Sequence, residues 1–181
     1  MTAARLIHLN GAPGVGKSTL AAQYAAEHPG VLNCDVDRLR VLVGGWADDF
    51  AGVGTLVQPI ALAMIRAHLD GGHDVVMPQM LASEERRALF RAAAVDGGHD
   101  YVHVLLRASP GTAAGRFETR PPDPLHDVIR AVVDADGGPE ALAGWESRLE
   151  TAAAASDVVR LDADGDVAST YRALLAALRA D

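Results

Sequence analysis

The sequence predicts an α/β fold with a five-stranded parallel sheet covered by helices on both faces, and three observations predict it. Five short apolar runs alternate with helix-patterned segments. Several of those runs are continuous rather than alternating, as strands buried on both faces are. No internal repeat or domain-sized linker interrupts the series, so residues 1–181 are expected to form one domain. A chain of 181 residues, 49% hydrophobic and 22% charged, has the length for a real core and lacks the composition of collagen-like or disordered segments.

The elements follow in order. Leu6–Leu9 reads as a strand, the Gly-rich turn at 11–16 follows, and a helix runs to about residue 28 with Leu20, Ala21, Tyr24 and Ala25 on one face. Val31–Cys34 reads as a second strand ending at Asp35-Val36-Asp37. Residues 44–55 are rich in Gly and Asp and hold Trp46 and Phe50; a helical period resumes with Ile60, Met64 and Ala67 and stops at Gly71-Gly72. Asp74–Met77 is a short buried strand. Ser83 caps the next helix, whose first turn carries Glu84 and Glu85 and which ends at Gly97-Gly98. Tyr101–Leu106 is a strand, Ser109-Pro110 opens a helix as cap and first position, and Pro121-Pro122-Asp123-Pro124 breaks it. Residues 125–154 read as two helices split at Gly137-Gly138-Pro139. Asp157–Leu161 is the last strand, and Val167, Tyr171, Leu174, Leu175 and Leu178 stripe a final helix.

Charge narrows the function. The formal net charge is −8, and backbone recognition of nucleic acid needs clustered cations to displace counterions, so no nucleic-acid partner is expected. No run approaches 18 apolar residues and the amino terminus lacks a secretory pattern; a cytoplasmic protein without a membrane span is the expectation. Cys34 is the single cysteine, which excludes an internal disulfide and a cysteine-based zinc site. Of the 16 basic residues 15 are Arg, and the one lysine is Lys17.

That lysine completes Gly11-Ala12-Pro13-Gly14-Val15-Gly16-Lys17-Ser18, the G-x-x-x-x-G-K-[ST] pattern, between a strand and a helix as the pattern requires. Glycines let backbone N–H groups converge on a phosphate, and the helix amino end adds partial positive charge. Lys17 is expected to reach the outer phosphates of ATP, Ser18 to ligate Mg²⁺, and residues 11–18 with Thr19 to form the nucleotide site. A slim ammonium enters such a loop where a planar guanidinium would overfill it.

With this loop in hand the chain resembles the small P-loop kinases: gluconate kinase, adenylylsulfate kinase, shikimate kinase and chloramphenicol phosphotransferase. The resemblance implies a P-loop NTPase fold with a substrate-binding helical region at about 38–72 and a helical lid at about 116–136. Asp35-Val36-Asp37-Arg38-Leu39-Arg40 is similar to the D-G-D-x-x-R stretch of adenylylsulfate kinase, and Asp37 matches the acidic position used as a base in chloramphenicol phosphotransferase. An acceptor hydroxyl about to attack a γ-phosphate needs such a carboxylate within hydrogen-bond reach. Asp35 either assists, holds Mg²⁺ through water, or caps the following helix. Arg40 either clamps an anionic substrate or lies on the surface. Arg116 and Arg120, four apart and so on one helical face, look like the R-x-x-x-R edge of a kinase lid; as catalytic residues they would neutralise charge on the transferred phosphoryl group. Asp162–Asp166 stands where related kinases pack adenine.

The departures matter equally. The third strand ends Met77-Pro78-Gln79 and the fourth Leu106-Arg107, so neither supplies a Walker B Asp, and no N-K-x-D guanine signature exists. Gln79, at a strand carboxyl end, either hydrogen-bonds an acceptor hydroxyl or is a loop polar residue with no role; Trp46 reads as a core anchor, and Cys34 as a buried thiol. His8 and His103 read as satisfied strand residues, His68 and His73 as structural, and His126 as solvent-facing. The expected function is an ATP- and Mg²⁺-dependent phosphotransferase acting on a hydroxyl of a small metabolite or antibiotic, as monomer or homodimer. The alternative is a nucleotide-binding resistance or regulatory protein without efficient transfer, as tunicamycin-resistance proteins suggest.

Overall fold

A computed structural model describes residues 3–154 and 157–180. The elements are β1 (Arg5–Asn10), α1 (Lys17–Glu27), β2 (Leu32–Asn33), α2 (Val36–Arg40), α3 (Phe50–Asp70), β3 (Val75–Pro78), α4 (Glu84–Val95), β4 (Asp100–Arg107), α5 (Pro110–Glu118), α6 (Pro124–Ala135), α7 (Pro139–Ala153), β5 (Val159–Asp162) and α8 (Val167–Ala180). The strands form one parallel sheet ordered β2-β3-β1-β4-β5.

Continuous apolar strands demand cover on both sides, and each side has its own core. Ile7 and Leu9 of β1 pack with Leu20 and Tyr24 of α1 and Leu174 and Leu178 of α8. Leu6 and Met77 on the opposite face pack with Val57 and Ile65 of α3 and Phe90 of α4. A third, small cluster of Phe117, Val133 and Leu142 joins α5, α6 and α7. Parallel strands put all carboxyl ends on one edge, and Gln79 extends the β3 ladder by donating its N–H to Leu9 O at 3.1 Å. The phosphate-binding pattern and the segment after β3 therefore leave the sheet side by side, where ligands of such sheets bind.

Several elements differ from expectation. α3 starts at Phe50, about ten residues before the clear periodicity, and keeps Gly52, Gly54 and Pro59 inside it. Weak local propensity is overridden there by burial of Val53, Val57, Ala61, Ile65 and Leu69 on one face. The Asp49 side chain caps α3 by accepting from Gly52 N at 2.9 Å. This helix is also long and apolar enough to cross a membrane, with a mean hydropathy of 1.4 over its best window, yet its buried stripe is the inner face of the second core. Ser109 stands at the α5 cap position without a capping side-chain bond; its hydroxyl donates to Thr112 Oγ1 at 2.8 Å instead. Val167 is exposed rather than part of the α8 stripe. His126 is buried, its ring against Phe117 and its Nε2 at 2.9 Å from Phe117 O, because it joins α6 to α5 instead of facing solvent. The expected last strand begins at Val159, and residues 155–156 just before that stretch lie outside the described residues.

Candidate active site

The loop after β1 turns through three glycines with positive φ: Gly11 at 146°, Gly14 at 89° and Gly16 at 99°. A Cβ on Gly14 would lie 2.0 Å from Ala113 O of α5, so the loop also needs glycine for close approach. Gly16 is the α1 N-cap and gives no side-chain cap, and the first turn of α1 carries no acid. The first-turn amides of Lys17, Ser18 and Thr19 thus face outward without intrahelical partners, beside the positive end of an 11-residue helix. Lys17 Nζ donates to Gly11 O at 2.8 Å and Ala12 O at 2.9 Å, folding back across the loop it serves. Burial lowers its pKa to about 8, with the neighbouring Asp37 and Asp35 pulling it upward and Arg120 adding to the depression. The donor set fits a polyphosphate, and the exposed Ser18, which lines the same cavity, carries a hydroxyl oxygen of the kind that ligates Mg²⁺. Among the described residues no cluster of three or more His, Cys, Asp or Glu would hold a metal ion without such a ligand.

Asp35 and Asp37 divide their tasks. Asp35 caps α2, its carboxylate accepting from Asp37 N at 3.1 Å and Arg38 N at 3.3 Å. Capping sets the first turn of α2 and turns Asp37 toward the loop lysine. Burial, reinforced by Asp35, raises the Asp37 pKa; Arg40, Lys17 and the Gln79 amide act in the opposite direction. Arg40 approaches Asp37 with Nε at 3.3 Å from Oδ1, donates to Phe50 O at 2.6 Å and lies 4.0 Å over the Phe50 ring. Its guanidinium is held between a carboxylate, a carbonyl and an aromatic face, and Gly54 is where α3 makes room for it: a Cβ there would touch Arg40 at 2.8 Å.

A cavity of about 650 Å³ joins these groups. Lys17, Ser18, Asp35, Asp37, Arg40, Gln79 and Arg120 all line it, as do Arg86 of α4 and an apolar wall of Ile129, Val132 and Trp145 from α6 and α7. Arg116 does not. The two arginines expected on one helical face part company because α5 ends at Glu118 with Thr119 as its C-cap, which leaves Arg120 in the connecting loop. Arg116 turns toward the β5–α8 loop and donates to Ala163 O at 2.5 Å, Asp164 O at 3.1 Å and Gly165 O at 2.5 Å. It borders a smaller cavity of about 180 Å³ lined also by Gly14, Thr19, Arg120 and Thr170. Arg120 lines both. Trp46 packs against the second core and is absent from the cavity lining, while Cys34 is buried with its thiol pushed up to about 12 by desolvation and Asp35.

Sequence reasoning missed two contributors, Asn10 and Arg87, and the structure bears out a third, His8, as a satisfied strand residue. Asn10 ties the loop to the segment after β3: its Oδ1 accepts from Gly11 N at 2.9 Å and Leu81 N at 3.0 Å, and its Nδ2 donates to Leu81 O at 3.0 Å. His8 Nε2 donates to Gln79 O at 2.8 Å while Nδ1 accepts from the Tyr101 hydroxyl at 2.7 Å, the arrangement of a neutral ring. Arg87 is fully buried beneath α4, bonded to Leu81 O, Glu84 and Ala152 O. A polar residue at the inward position of a continuous strand, as at His8 and Asn10, was the available signal. Arg87 gave none, since its neighbours Arg86 and Arg91 are ordinary surface cations by spacing.

Comparison with protein families matches the AAA domain over residues 6–136. No curated protein matches significantly. Among solved structures, a gluconokinase from Sinorhizobium meliloti 1021 is 20% identical over 99% of this chain and 94% of its own, with a TM-score of 0.64. A sugar kinase from a Janibacter species is 14% identical over 97% and 95%, with a TM-score of 0.67. The APS kinase of Mycobacterium tuberculosis is 19% identical over 99% of both chains, with a TM-score of 0.57. At these identities the shared property is the fold, that of small P-loop kinase-like proteins.

Proposed function

The chain belongs to the AAA domain family, and on that premise we propose that it is an ATP- and Mg²⁺-dependent kinase that phosphorylates a hydroxyl group of a small molecule. One observation carries the reading: a carboxylate, Asp37, lies in the same cavity as the phosphate-loop lysine, close enough for each to shift the other's ionisation. A base beside a triphosphate cradle is what hydroxyl phosphorylation requires.

Each residue then has a task. The amides of residues 16–19 and Lys17 hold the β- and γ-phosphates, and Ser18 would hold Mg²⁺ through its hydroxyl, the ion supplying positive charge that offsets that of the polyphosphate. Asp37 orients the acceptor hydroxyl and takes its proton as the oxygen bonds to the γ-phosphorus and the bond to the β-phosphate oxygen breaks. Arg40 keeps Asp37 in place. Arg120 covers the transfer from the lid side, and Arg116, fixed on the β5–α8 carbonyls, shapes the nucleoside end. Ile129, Val132 and Trp145 exclude water above the reaction.

The second reading, a nucleotide binder without efficient transfer, draws on one feature: β3 and β4 end in Pro78 and Arg107, with no carboxylate for the metal. Release of ADP, measured with and without a panel of hydroxylated acceptors, separates the two. Acceptor-stimulated release that falls about 10²- to 10⁴-fold in Asp37→Asn supports the kinase. Tight MgATP binding with no stimulation by any acceptor supports the binder.

A further inference from the structure

The lid side of the large cavity is apolar. Ile129 and Val132, three residues apart on one face of α6, line it together with Trp145 of α7. Val133, the next residue, is the one that packs into the small core with Phe117 and Leu142, whereas Val132 is 41% exposed. Core packing therefore does not account for Val132. Trp145 has its polar atom engaged, Nε1 donating to Asp136 Oδ2 at 2.8 Å, so what its ring offers the cavity is carbon.

The polar groups of the lining are largely bonded to one another. Asp35 accepts from two amides of α2, Asp123 accepts from Leu125 N at 2.9 Å and Arg38 Nη2 at 2.8 Å, and Arg40 is held by Phe50 O and Asp37. Of the neutral polar residues, Ser18 and Thr19 stand at the start of α1 in the phosphate site, while Gln79 and His126 are buried. A polyol in this cavity would leave hydroxyls without partners, at a cost in free energy for each.

We infer that the acceptor is an amphipathic alcohol, with its reacting hydroxyl at Asp37 and an apolar body, aryl or alkyl, against Ile129, Val132 and Trp145. The inference rests on the kinase reading and deepens it, making the α6–α7 wall the feature that selects among acceptors. A cavity of about 650 Å³ has the size of those that enclose a small ligand, and such sites combine an apolar lining with a few placed polar groups. The nucleoside has a separate place: Arg116, Gly165 and Thr170 border the smaller cavity with Gly14 and Thr19, and none of the three wall residues lines it. Each methylene that an acceptor moves from water onto such a wall strengthens its binding about fourfold.

The test uses the whole protein with MgATP and acceptors that share a primary hydroxyl: the 1-alkanols from ethanol to hexanol, 2-phenylethanol, and the polyols glycerol, glucose and gluconate. ADP release is expected to rise along the alkanols by up to about fourfold in kcat/KM per methylene, with 2-phenylethanol about 10- to 100-fold above ethanol and the polyols no better than ethanol. In Trp145→Ala the rise with chain length is expected to flatten, whatever happens to the overall rate, while the affinity for MgATP is unchanged. Val132→Thr, which keeps the side-chain shape at an exposed position, should flatten it in part without lowering the thermal midpoint. Turnover of polyols with no rise along the alkanols overturns the inference and leaves the kinase reading standing. Variants that weaken MgATP binding and preserve the rise would give the wall to the nucleotide and overturn the inference as well. Tight MgATP binding without release for any acceptor overturns the kinase reading, and this inference with it.

Discussion

Lys17 is the residue at which affinity and protonation meet. Partly buried, and folded onto Gly11 O and Ala12 O, its ammonium loses charge near pH 8 rather than near 10.5. A bound phosphate favours the charged form, so nucleotide binding above about pH 8 must take up a proton and weaken as pH rises. Calorimetry in buffers of different ionisation enthalpy reads that uptake directly, and it should vanish near pH 6. Lys17→Arg should keep the fold and lose phosphoryl transfer, because the planar guanidinium overfills the loop. Asp37 titrates in the opposite sense. A base works ionised, and burial raises its pKa, so the acid limb of kcat/KM should lie above the ordinary carboxylate range and disappear in Asp37→Asn.

Between elements, the tightest constraint is the contact of the phosphate loop with α5. Gly14→Ala would drive a methyl group into Ala113 O at a residue whose φ is 89°, so the loop and α5 cannot both stay in place. Nucleotide affinity should fall at least about tenfold, with the thermal midpoint lowered as well. Under α4, His8 and His103 stack at 5.1 Å, and burial lowers their pKa values to about 3 and about 4. Unfolded rings bind protons near pH 6.5, so from there down to about pH 4 the unfolded chain holds more protons and stability is lost as pH falls. Urea midpoints at pH 7 and pH 5 should show this, and His103→Leu should flatten the slope. Those same elements show what the sequence made legible. The phosphate loop, Ser83 capping α4 and the break at residues 137–138 follow local rules of spacing and dihedral freedom, so they could be read. The start of α3 at Phe50, the buried His126 and the parting of Arg116 from Arg120 depend on contacts between distant segments, such as Phe50 O with Arg40 and Ala163 O with Arg116, which no local pattern encodes.

Across the whole molecule, the central position of β1 explains why the site is where it is. Leu6, Ile7 and Leu9 are fully buried between the two cores, and the loop that follows inherits that rigidity. Leu9→Ala should cost about 2–5 kcal/mol in denaturant unfolding, far more than breaking the exposed Arg38–Asp123 pair, for which Arg38→Ala should change stability by about 0–1 kcal/mol. The net charge is −8, yet the cations Lys17, Arg38, Arg40, Arg86 and Arg120 outnumber the carboxylates Asp35, Asp37 and Asp123 in the lining of one cavity. That local excess suits a polyphosphate, and on the proposed function the loop, the Asp37 carboxylate and Arg120 act together. The most direct test is mass spectrometry of a mixed pool of hydroxylated small molecules after incubation with the protein and MgATP. A compound that gains the mass of one phosphoryl group with the wild-type chain and not with Asp37→Asn is the predicted result; a pool left unchanged by protein that binds MgATP tightly would contradict it.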